Sequence, residues 1–352
     1  MIDRVEFRSF VCRRTSRFTI ATGSWDVAEN VIVKMVSGDE FGVGSASPSS
    51  VTKETLQSIE AFLSKVPKKI AGTDENDPVK LHQRLDAVEE GNTAAKAAVD
   101  IALYDILSKR EKKPLYKYLG GSKKKILTDM TIGIESKDVA VSRAIKHYKE
   151  GFRALKIKVG LDLNDDIRRV AAIREAVGPR VELRVDANQG YSVDQAVKFA
   201  ESMKGLDVAV IEQPVKADDI EGLREVKTRS PVPIMADECV KSSLDARNVI
   251  RKGAADMINI KLMKSAGLLD AVMIYRLAEC TGIGTMVGCM SEIQVSIAAG
   301  LHFALSSENV KYADLDSHLS LLDDPSSGLK LEDGYLIAPK RPGLGVKTPL
   351  DG

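Results

Sequence analysis

The stretch ALKIKVG, at residues 154–160, decides the fold and raises the first question about function. Its apolar residues, its β-branched centre and its final glycine predict a short buried strand. Lys156 and Lys158 interrupt the strand two positions apart. Because side chains alternate across a strand, both ammonium groups point to the same side. A buried strand that directs two positive charges to one place predicts a polar site at its end.

Apolar strands of the same kind alternate with amphipathic helical segments on both sides of this stretch, between residues 123 and 317. Such alternation, with nearly continuous apolar strands, is typical of a parallel sheet covered by helices. We therefore predict an α/β fold, a modified TIM barrel of the (β/α)7β type. The competing fold, an open doubly wound sheet, would carry a glycine-rich phosphate turn after an early strand, and the sequence has none there.

The two ends of the chain have other patterns. Residues 1–50 alternate in polarity like antiparallel strands, and residues 52–118 have helical periodicity, so together they predict a small α+β unit. We predict three parts: an N-terminal α+β domain at residues 1–122, the barrel at 123–317, and a C-terminal segment at 318–352 that returns to the N-terminal domain.

Composition and charge argue against several classes of function. The 352 residues are 44% hydrophobic, and 51 Lys and Arg against 50 Asp and Glu give a formal charge of +1. Binders of nucleic acid or of membrane surfaces carry a basic excess, so we expect neither partner. The start has no apolar signal core, and no run approaches the roughly 20 apolar residues of a membrane span. Four cysteines without CxxC spacing favour a cytoplasmic protein that has neither a disulfide framework nor a zinc site.

Charged residues recur where the predicted barrel strands end. From Lys158 the steps to Asp186, Glu212, Asp237 and Lys261 are 28, 26, 25 and 24 residues, each one strand-plus-helix unit. Active sites of barrels form at the C-terminal strand ends, so these groups are expected to converge. A single aspartate at a strand end is more often a helix N-cap, but this repeated spacing favours a functional site. The last strand adds a further pair, Asp314 and Asp316.

The residue types at these strand ends predict a metal-assisted reaction. The carboxylates of Asp186, Glu212 and Asp237 would repel one another unless a divalent cation neutralised them, and an all-oxygen set favours Mg²⁺ over zinc. Lys158 and Lys261 would approach that metal from opposite sides. A neighbouring ammonium, that of Lys156, would lower the pKa of Lys158 and help to hold a substrate carboxylate. This combination suits removal of a proton α to a carboxylate.

Six motifs surround these strand ends: KIKVG, RVDANQGY, IEQPV, MADE, INIKLMKSAG and MVGCM. Two more, GVGSASP and RPGLGV, lie in the N-terminal domain and the C-terminal segment. On these motifs, which together cover nearly the whole chain, the sequence resembles the enolase superfamily in its muconate-lactonizing-enzyme subgroup. Enolase-superfamily sites use a Lys or His base together with Mg²⁺. The resemblance implies that the N-terminal domain caps the barrel. We expect the chain to form a homo-oligomer, and we expect Asn188 and Gln213 to support the metal carboxylates through hydrogen bonds, with ordinary turn chemistry as the alternative for each.

Within that subgroup the DLD of the last strand resembles dipeptide epimerases, whose paired aspartates hold the free α-ammonium of the substrate. The resemblance implies that Lys158 and Lys261 invert an α-carbon by 1,1-proton transfer through an enediolate, with Ser291 beside the substrate. The alternative is a lyase such as o-succinylbenzoate synthase or muconate cycloisomerase, which shares the lysines and the metal ligands but binds no ammonium. A binding protein without catalysis would be expected to lack at least one of these groups.

The resemblance also bears on specificity. Epimerases of Ala-Glu often carry an arginine a few residues past the phenylalanine matched here by Phe18, and the matching position is Gly23. No other cation occurs before Lys34, whereas Trp25 offers an apolar surface. Because an unpaired buried carboxylate is costly, we predict an L-Ala-type first residue and an apolar or aromatic second residue in preference to Glu. Selection of a basic second residue by Asp26 is the alternative.

Overall fold

The computed structural model describes residues 1–351, which form three β-sheets. The N-terminal sheet is antiparallel and consists of β1 (Arg4–Ile20), β2 (Gly23–Ser37) and β3 (Glu40–Ala46). Four helices follow it: α1 (Leu56–Ile70), α2 (Pro78–Asp86), α3 (Thr93–Arg110) and α4 (Leu115–Tyr118). We call β1–β3 together with α1–α4 the cap.

The cap is held together by close packing of α3 on β3. The helix is rich in alanine on the side that meets the sheet, and β3 presents glycines to it. A Cβ atom at Gly44 would lie 2.0 Å from the carbonyl oxygen of Ala98, so only glycine permits this approach. Small residues on both elements thus let backbone contact backbone, and the cap buries its core without large side chains at this interface.

The second sheet has eight parallel strands, each short and almost wholly buried. They are β5 (Met130–Ile132), β6 (Ala154–Lys158), β7 (Glu182–Asp186), β8 (Val208–Glu212), β9 (Ile234–Ala236), β10 (Met257–Ile260), β11 (Gly284–Gly288) and β12 (Val310–Asp314). The helices between them are α5 (Lys137–Lys149), α6 (Leu163–Val177), α7 (Val193–Ser202), α8 (Ile220–Arg229), α9 (Ser243–Lys252), α10 (Leu268–Cys280) and α11 (Gln294–Leu305).

Strand order along this sheet follows the chain from β5 to β12, and every neighbouring pair is parallel. A parallel bridge between Thr128 and Ala313 joins the two edges and closes the ring. The predicted (β/α)7β barrel is therefore confirmed. Four buried side chains, Val210, Met235, Met257 and Met286, form a separate apolar cluster.

The C-terminal residues contact both the cap and the barrel. A short 3-10 helix, Ser317–Ser320, follows β12, and β13 (Leu331–Glu332) and β14 (Tyr335–Ile337) form the third sheet with β4 (Lys125–Leu127). The carbonyl of Gly343 accepts a hydrogen bond from Leu115 of the cap at 2.9 Å. The exact boundaries at residues 122 and 317 stay predictions. Within residues 1–351 no helix is both long and apolar enough to cross a membrane.

Candidate active site

A cavity of about 690 Å³ lies between the cap and the C-terminal ends of the barrel strands. The cap lines it with side chains of β1 and β2, among them Phe18 and Trp25, and with the loop that follows β3. The barrel lines it with Lys158, Lys261 and other charged groups at its strand ends. The lysines and most of the carboxylates expected from the sequence thus meet at one mouth.

Strand β6 carries the two lysines of the opening stretch, and they have different surroundings. Lys156 is 1% exposed, and its Nζ lies 2.7 Å from Asp314, 2.8 Å from Glu212 and 2.9 Å from Asp186. Burial alone would lower the pKa of Lys156, but these carboxylates, Asp186 above all, hold it well above its usual value. Lys156 lies beneath the cavity rather than on its wall, which differs from the expectation that it also touches the substrate.

Lys158, two residues further along β6, reaches the cavity wall. Its Nζ donates to Asp186 at 2.6 Å and to the side-chain oxygen of Asn188 at 3.0 Å. The chain turns sharply just beyond it at Gly160, where φ is +108° and a Cβ would lie 2.4 Å from the carbonyl oxygen of Ala187. The glycine that ends the opening stretch therefore allows the loops after β6 and β7 to pack against each other at the site.

Lys261 faces Lys158 across the mouth of the barrel. It follows β10, which lies four strands away from β6 in the ring of eight, so the two lysines approach from opposite sides. Its Nζ lies 2.8 Å from Asp237, which also accepts a hydrogen bond from Lys264. Burial would lower the pKa of Lys261, but Asp237 outweighs burial and raises it.

Three buried carboxylates at neighbouring strand ends form the candidate metal site. Asp186 ends β7, Glu212 ends β8 and Asp237 follows β9, and each is at most 1% exposed. Burial, together with the charge of Asp186, raises the pKa of Glu212 to about 7. The donor set is all oxygen and carries excess negative charge, which fits Mg²⁺. Within residues 1–351 the oxygens of these three carboxylates do not all lie within 4.8 Å of one another. Lysine ammonium groups contact them instead, Lys156 at Asp186 and Lys261 at Asp237.

Amide side chains support this set in ways that the sequence shows only in part. Gln213 accepts from the backbone N–H of Asp237 at 2.9 Å, so it supports the strand end and not the carboxylate itself. Asn188 donates its backbone N–H to Asp186 at 3.0 Å. Asn259, which sequence reasoning missed, donates to Glu212 at 2.7 Å. Its position two residues before Lys261, on the same side of β10, is the signal that could have found it.

Glu238 is a site residue that sequence reasoning missed; it is 3% exposed and lines the cavity. Its Oε1 accepts from the side-chain amide of Asn188 at 3.1 Å, and the oxygen of that same amide accepts from Lys158. Glu238 therefore fixes which way the amide of Asn188 faces. Its other oxygen, Oε2, is buried without a hydrogen-bond partner.

The aspartate pair of the last strand lies at the cavity beside β11. Oxygens of Asp314 and Asp316 and the sulfur of Cys289 lie within 4.8 Å of one another. Thr131 donates its backbone N–H to Asp316 at 2.6 Å. Burial, and then the charge of Asp314, raises the pKa of Asp316 to about 6. The lysines nearby, Lys156 first, outweigh burial and lower the pKa of Asp314, so the two carboxylates differ. A buried carboxylate such as Asp316, which forms no ion pair within residues 1–351, favours a cation at this end of the cavity.

The remaining predicted substrate residues belong to the region where the cap meets the barrel. Trp25 is 39% exposed and lines the cavity. Gly23 is the first residue of β2 and does not line the cavity. A Cβ atom at Gly23 would lie 2.8 Å from the ring of Trp25. Ser291 lines the cavity, and its hydroxyl accepts a hydrogen bond from Arg14 of the cap. Arg14 itself was missed in the sequence because it precedes Phe18, outside the loop considered there.

Comparison with known proteins agrees with this geometry. A closed (β/α)7β barrel whose mouth carries carboxylates and opposed lysines beneath an α+β cap is the architecture of the enolase superfamily. Residues 5–120 match the mandelate racemase/muconate lactonizing enzyme N-terminal domain, and residues 140–351 match the enolase C-terminal domain-like family. The chain therefore belongs to the mandelate racemase/muconate lactonizing enzyme family.

Individual relatives cover nearly the whole chain. The hydrophobic dipeptide epimerase of Enterococcus faecalis is 37% identical over 350 residues, which are 98% of this chain and 99% of that protein. A crystal structure of a dipeptide epimerase from E. faecalis with Mg and L-Leu-L-Tyr has a TM-score of 0.96 at 37% identity, covering 98% and 99% of the two chains. The substrate-liganded L-Ala-D/L-Glu epimerase of Bacillus subtilis has a TM-score of 0.96 at 36% identity and 99% coverage of both chains.

Proposed function

We propose that this chain is a Mg²⁺-dependent dipeptide epimerase, an isomerase that inverts the α-carbon of one residue of a dipeptide. The observation that carries the proposal is the pair of lysines, Lys158 and Lys261, on opposite sides of one cavity that also holds the carboxylate pair Asp314 and Asp316. The lysines suit two-sided proton transfer, and the carboxylate pair suits a free ammonium.

The substrate binds with its ammonium at Asp314 and Asp316 and its terminal α-carbon between the two lysines. Asp186, Glu212 and Asp237 would hold Mg²⁺, which would supply Lewis-acid stabilisation of negative charge on the substrate carboxylate. Lys156 neutralises the carboxylates beneath the cavity, since it contacts Asp186, Glu212 and Asp314 at once. Asn188 holds the amine of Lys158 in place through its side-chain oxygen.

The chemistry moves one proton off the α-carbon and returns one from the other side. One lysine, as a neutral amine, takes the α-proton and becomes an ammonium. The lysine on the opposite side, already an ammonium, donates its proton to the opposite face and becomes neutral. The net reaction inverts the centre and leaves the two lysines with exchanged protonation states. The reverse reaction uses the same two groups in exchanged roles, so each lysine serves one epimer.

The carboxylate pair is also what favours an epimerase over a lyase or a cycloisomerase of the same family. Substrates of those enzymes lack the ammonium, and Asp316 would then be buried without an ion-pair partner. Asp314 is held by Lys156, whereas Asp316 accepts the backbone N–H of Thr131 and forms no ion pair within residues 1–351. Burial, and then the charge of Asp314, raises the pKa of Asp316.

We further propose that the second residue of the dipeptide is apolar or aromatic. Trp25, Val27 and Ile20 give the cap side of the cavity an apolar surface. The relative from E. faecalis that was crystallised with L-Leu-L-Tyr is consistent with such a substrate. We also propose a homo-oligomer in the cytoplasm; the four cysteines, all free, suit a reducing compartment. Size-exclusion chromatography with light scattering tests the oligomer.

The decisive experiment is a screen of dipeptide libraries in D₂O with Mg²⁺, followed by mass spectrometry. Deuterium at an α-carbon identifies the reaction and the epimerised residue together, and chiral chromatography then demonstrates inversion. EDTA should abolish exchange, and added Mg²⁺ should restore it. Activity that survives in chelator would contradict the metal assignment, and a failure of every dipeptide to exchange would contradict the proposed function.

A further inference from the structure

Arg14 is the one positively charged residue of the cavity wall that the proposed reaction does not use. It lies on β1 of the cap, and its side chain reaches the end of the cavity where Asp316, Ser317 and Ser320 lie. Its guanidinium lies over the ring of Phe18, with 5.2 Å between Cζ and the ring centroid. An arginine directed from the cap into a substrate cavity is a candidate for a group that selects the substrate.

The hydrogen bonds of Arg14 leave its charge without an anionic partner. Nη1 donates to the hydroxyl of Ser320 at 3.0 Å, and Nη2 donates to the hydroxyl of Ser291. Nε is buried and has no partner. Within residues 1–351 no carboxylate lies in ion-pair distance of this guanidinium. Two neutral hydroxyls satisfy only some of the N–H donors of the guanidinium, which binds both oxygens of a carboxylate in a bidentate geometry where one is available.

Burial makes this arrangement costly unless an anion completes it. Burial lowers the pKa of Arg14, and the nearby charge of Asp316 acts in the opposite direction. Structural arginines of this chain look different: Arg13, the preceding residue, forms a two-pronged pair with Asp323, and Arg184 pairs with Asp129 inside the barrel. Arg14 has no such carboxylate partner within residues 1–351, and it lines the cavity.

The position of Arg14 identifies which part of a dipeptide it would meet. Its partners Ser291 and Ser320 follow β11 and β12, the same two elements that carry Cys289 and the aspartate pair. This is the end of the cavity that we assign to the ammonium, and hence to the first residue, whereas Lys158 lies on β6. A side chain of the first residue extends from the carbon that bears this ammonium, so it lies within the region that Arg14 lines.

We propose that Arg14 selects dipeptides whose first residue carries a carboxylate side chain, aspartyl or glutamyl. The first residue would then be held at two points, its ammonium by Asp314 and Asp316 and its carboxylate by Arg14. This inference rests on the proposed epimerase function and differs from the sequence-based expectation of an alanine-type first residue. The search for cations between Phe18 and Lys34 concerned the second residue, and Arg14 precedes that range, so its effect on the first residue was not considered.

The test compares dipeptides that share the second residue found to exchange fastest in the library screen and that begin with L-Asp, L-Asn, L-Ala or L-Lys. For the unchanged protein we expect kcat/KM for the Asp substrate to exceed that for the Ala and Asn substrates at least tenfold, mainly through KM. Arg14→Met should bring the Asp-to-Ala ratio close to one and raise kcat/KM for the Lys substrate. Arg17→Met is the matched control, because Arg17 lies on the same strand but is exposed and outside the lining, and it should keep the original ratio.

Ratios within one variant separate selection from a structural role, because a loosened cap would lower activity toward all four substrates together. Preference for Ala over Asp in the unchanged protein, or an Asp-to-Ala ratio that Arg14→Met leaves as it was, would overturn the inference while the epimerase function stood. A chain that exchanges no dipeptide at all would overturn the proposed function and, with it, this inference.

Discussion

Replacing each lysine in turn tests the two-sided mechanism most directly. We expect Lys158→Ala and Lys261→Ala each to stop epimerisation, because inversion needs a donor on one face and an acceptor on the other. A general base contributes about 10²–10⁴-fold, so epimerisation should fall by at least that factor. Each variant should still exchange the α-proton of one epimer with solvent, since the opposite lysine remains. The two variants should therefore retain exchange of opposite epimers.

The structure indicates that both variants will fold. Removing one partner of a buried ion pair costs about 3–5 kcal/mol when it leaves a charge unpaired. Here Asp186 keeps Lys156 at 2.9 Å when Lys158 is lost, and Asp237 keeps Lys264 when Lys261 is lost. The cost should then be closer to that of one charge-assisted hydrogen bond, about 1.5–3 kcal/mol.

The assay is ¹H NMR in D₂O on each pure epimer, with urea unfolding to check stability. Lys204→Ala serves as the control, because Lys204 is an exposed lysine outside the cavity lining, and it should behave as the unchanged protein. The reasoning is refuted if either variant still epimerises, or if both variants retain exchange of the same epimer.

Three further predictions address other parts of the site and of the fold. N-acetylation of the dipeptide should lower kcat/KM at least tenfold, because Asp314 and Asp316 would lose an ammonium partner; equal or better turnover of N-acylated substrates would favour the lyase alternative. Glu238→Met should lower exchange of the epimer served by Lys158 about tenfold more than that of the other epimer, because Asn188 loses the acceptor that orients it; an equal loss on both faces would contradict this positioning role. Burial lowers the pKa of His302 to about 4, so the unfolded chain binds a proton that the folded chain rejects between pH 6.5 and 4. The contribution of His302 to the free energy of unfolding should fall by about 3 kcal/mol as the pH drops through that range. The total loss, measured by urea titration at each pH, should therefore be smaller in His302→Gln.

The sequence predicts the barrel well because the period of the fold and the period of the site are the same. Each strand-plus-helix unit takes 24–28 residues between Lys158 and Lys261, so a charged residue at each strand end is visible as a repeat. The alternation of apolar strands and amphipathic helices independently predicts the same repeat of strand-plus-helix units, and the parallel ring of eight strands confirms that repeat. Local pattern and global fold agree here, which is why the prediction could be made without a structure.

Residues that act through a neighbour were harder to find, since a pattern along one element does not show which side chains meet. Glu238 follows Asp237 directly and would be expected on the opposite side of an extended strand. Strand β9 ends at Ala236, however, and the chain turns there, so both side chains line the same cavity. Asn188 has a positive φ of 41°, a conformation that the preceding strand does not predict. The geometry of this loop therefore determines that the side-chain oxygen of Asn188 faces Lys158.

The cap contributed the least predictable part of the site because its residues reach the barrel only through docking. Strands β1 and β2 pair with an irregularity between Arg13 and Phe18, so simple alternation does not establish where Arg14 points. Its place is decided by contacts with Ser291 and Ser320, which lie more than 270 residues away in the chain.

Ser291 also shows why specificity can change in this fold without a change of chemistry. Its carbonyl accepts hydrogen bonds from Asn30 at 2.9 Å and from Ser47 at 3.0 Å, and its hydroxyl accepts one from Arg14, so three residues of the cap hold one barrel loop. The lysines and the metal-ligand carboxylates, in contrast, are held by contacts among the barrel strands. A substitution at Arg14 therefore alters what the cavity admits while the ion pairs around Lys158 stay intact. It follows that differences in substrate between this chain and its relatives should be sought first on the cap side of the cavity.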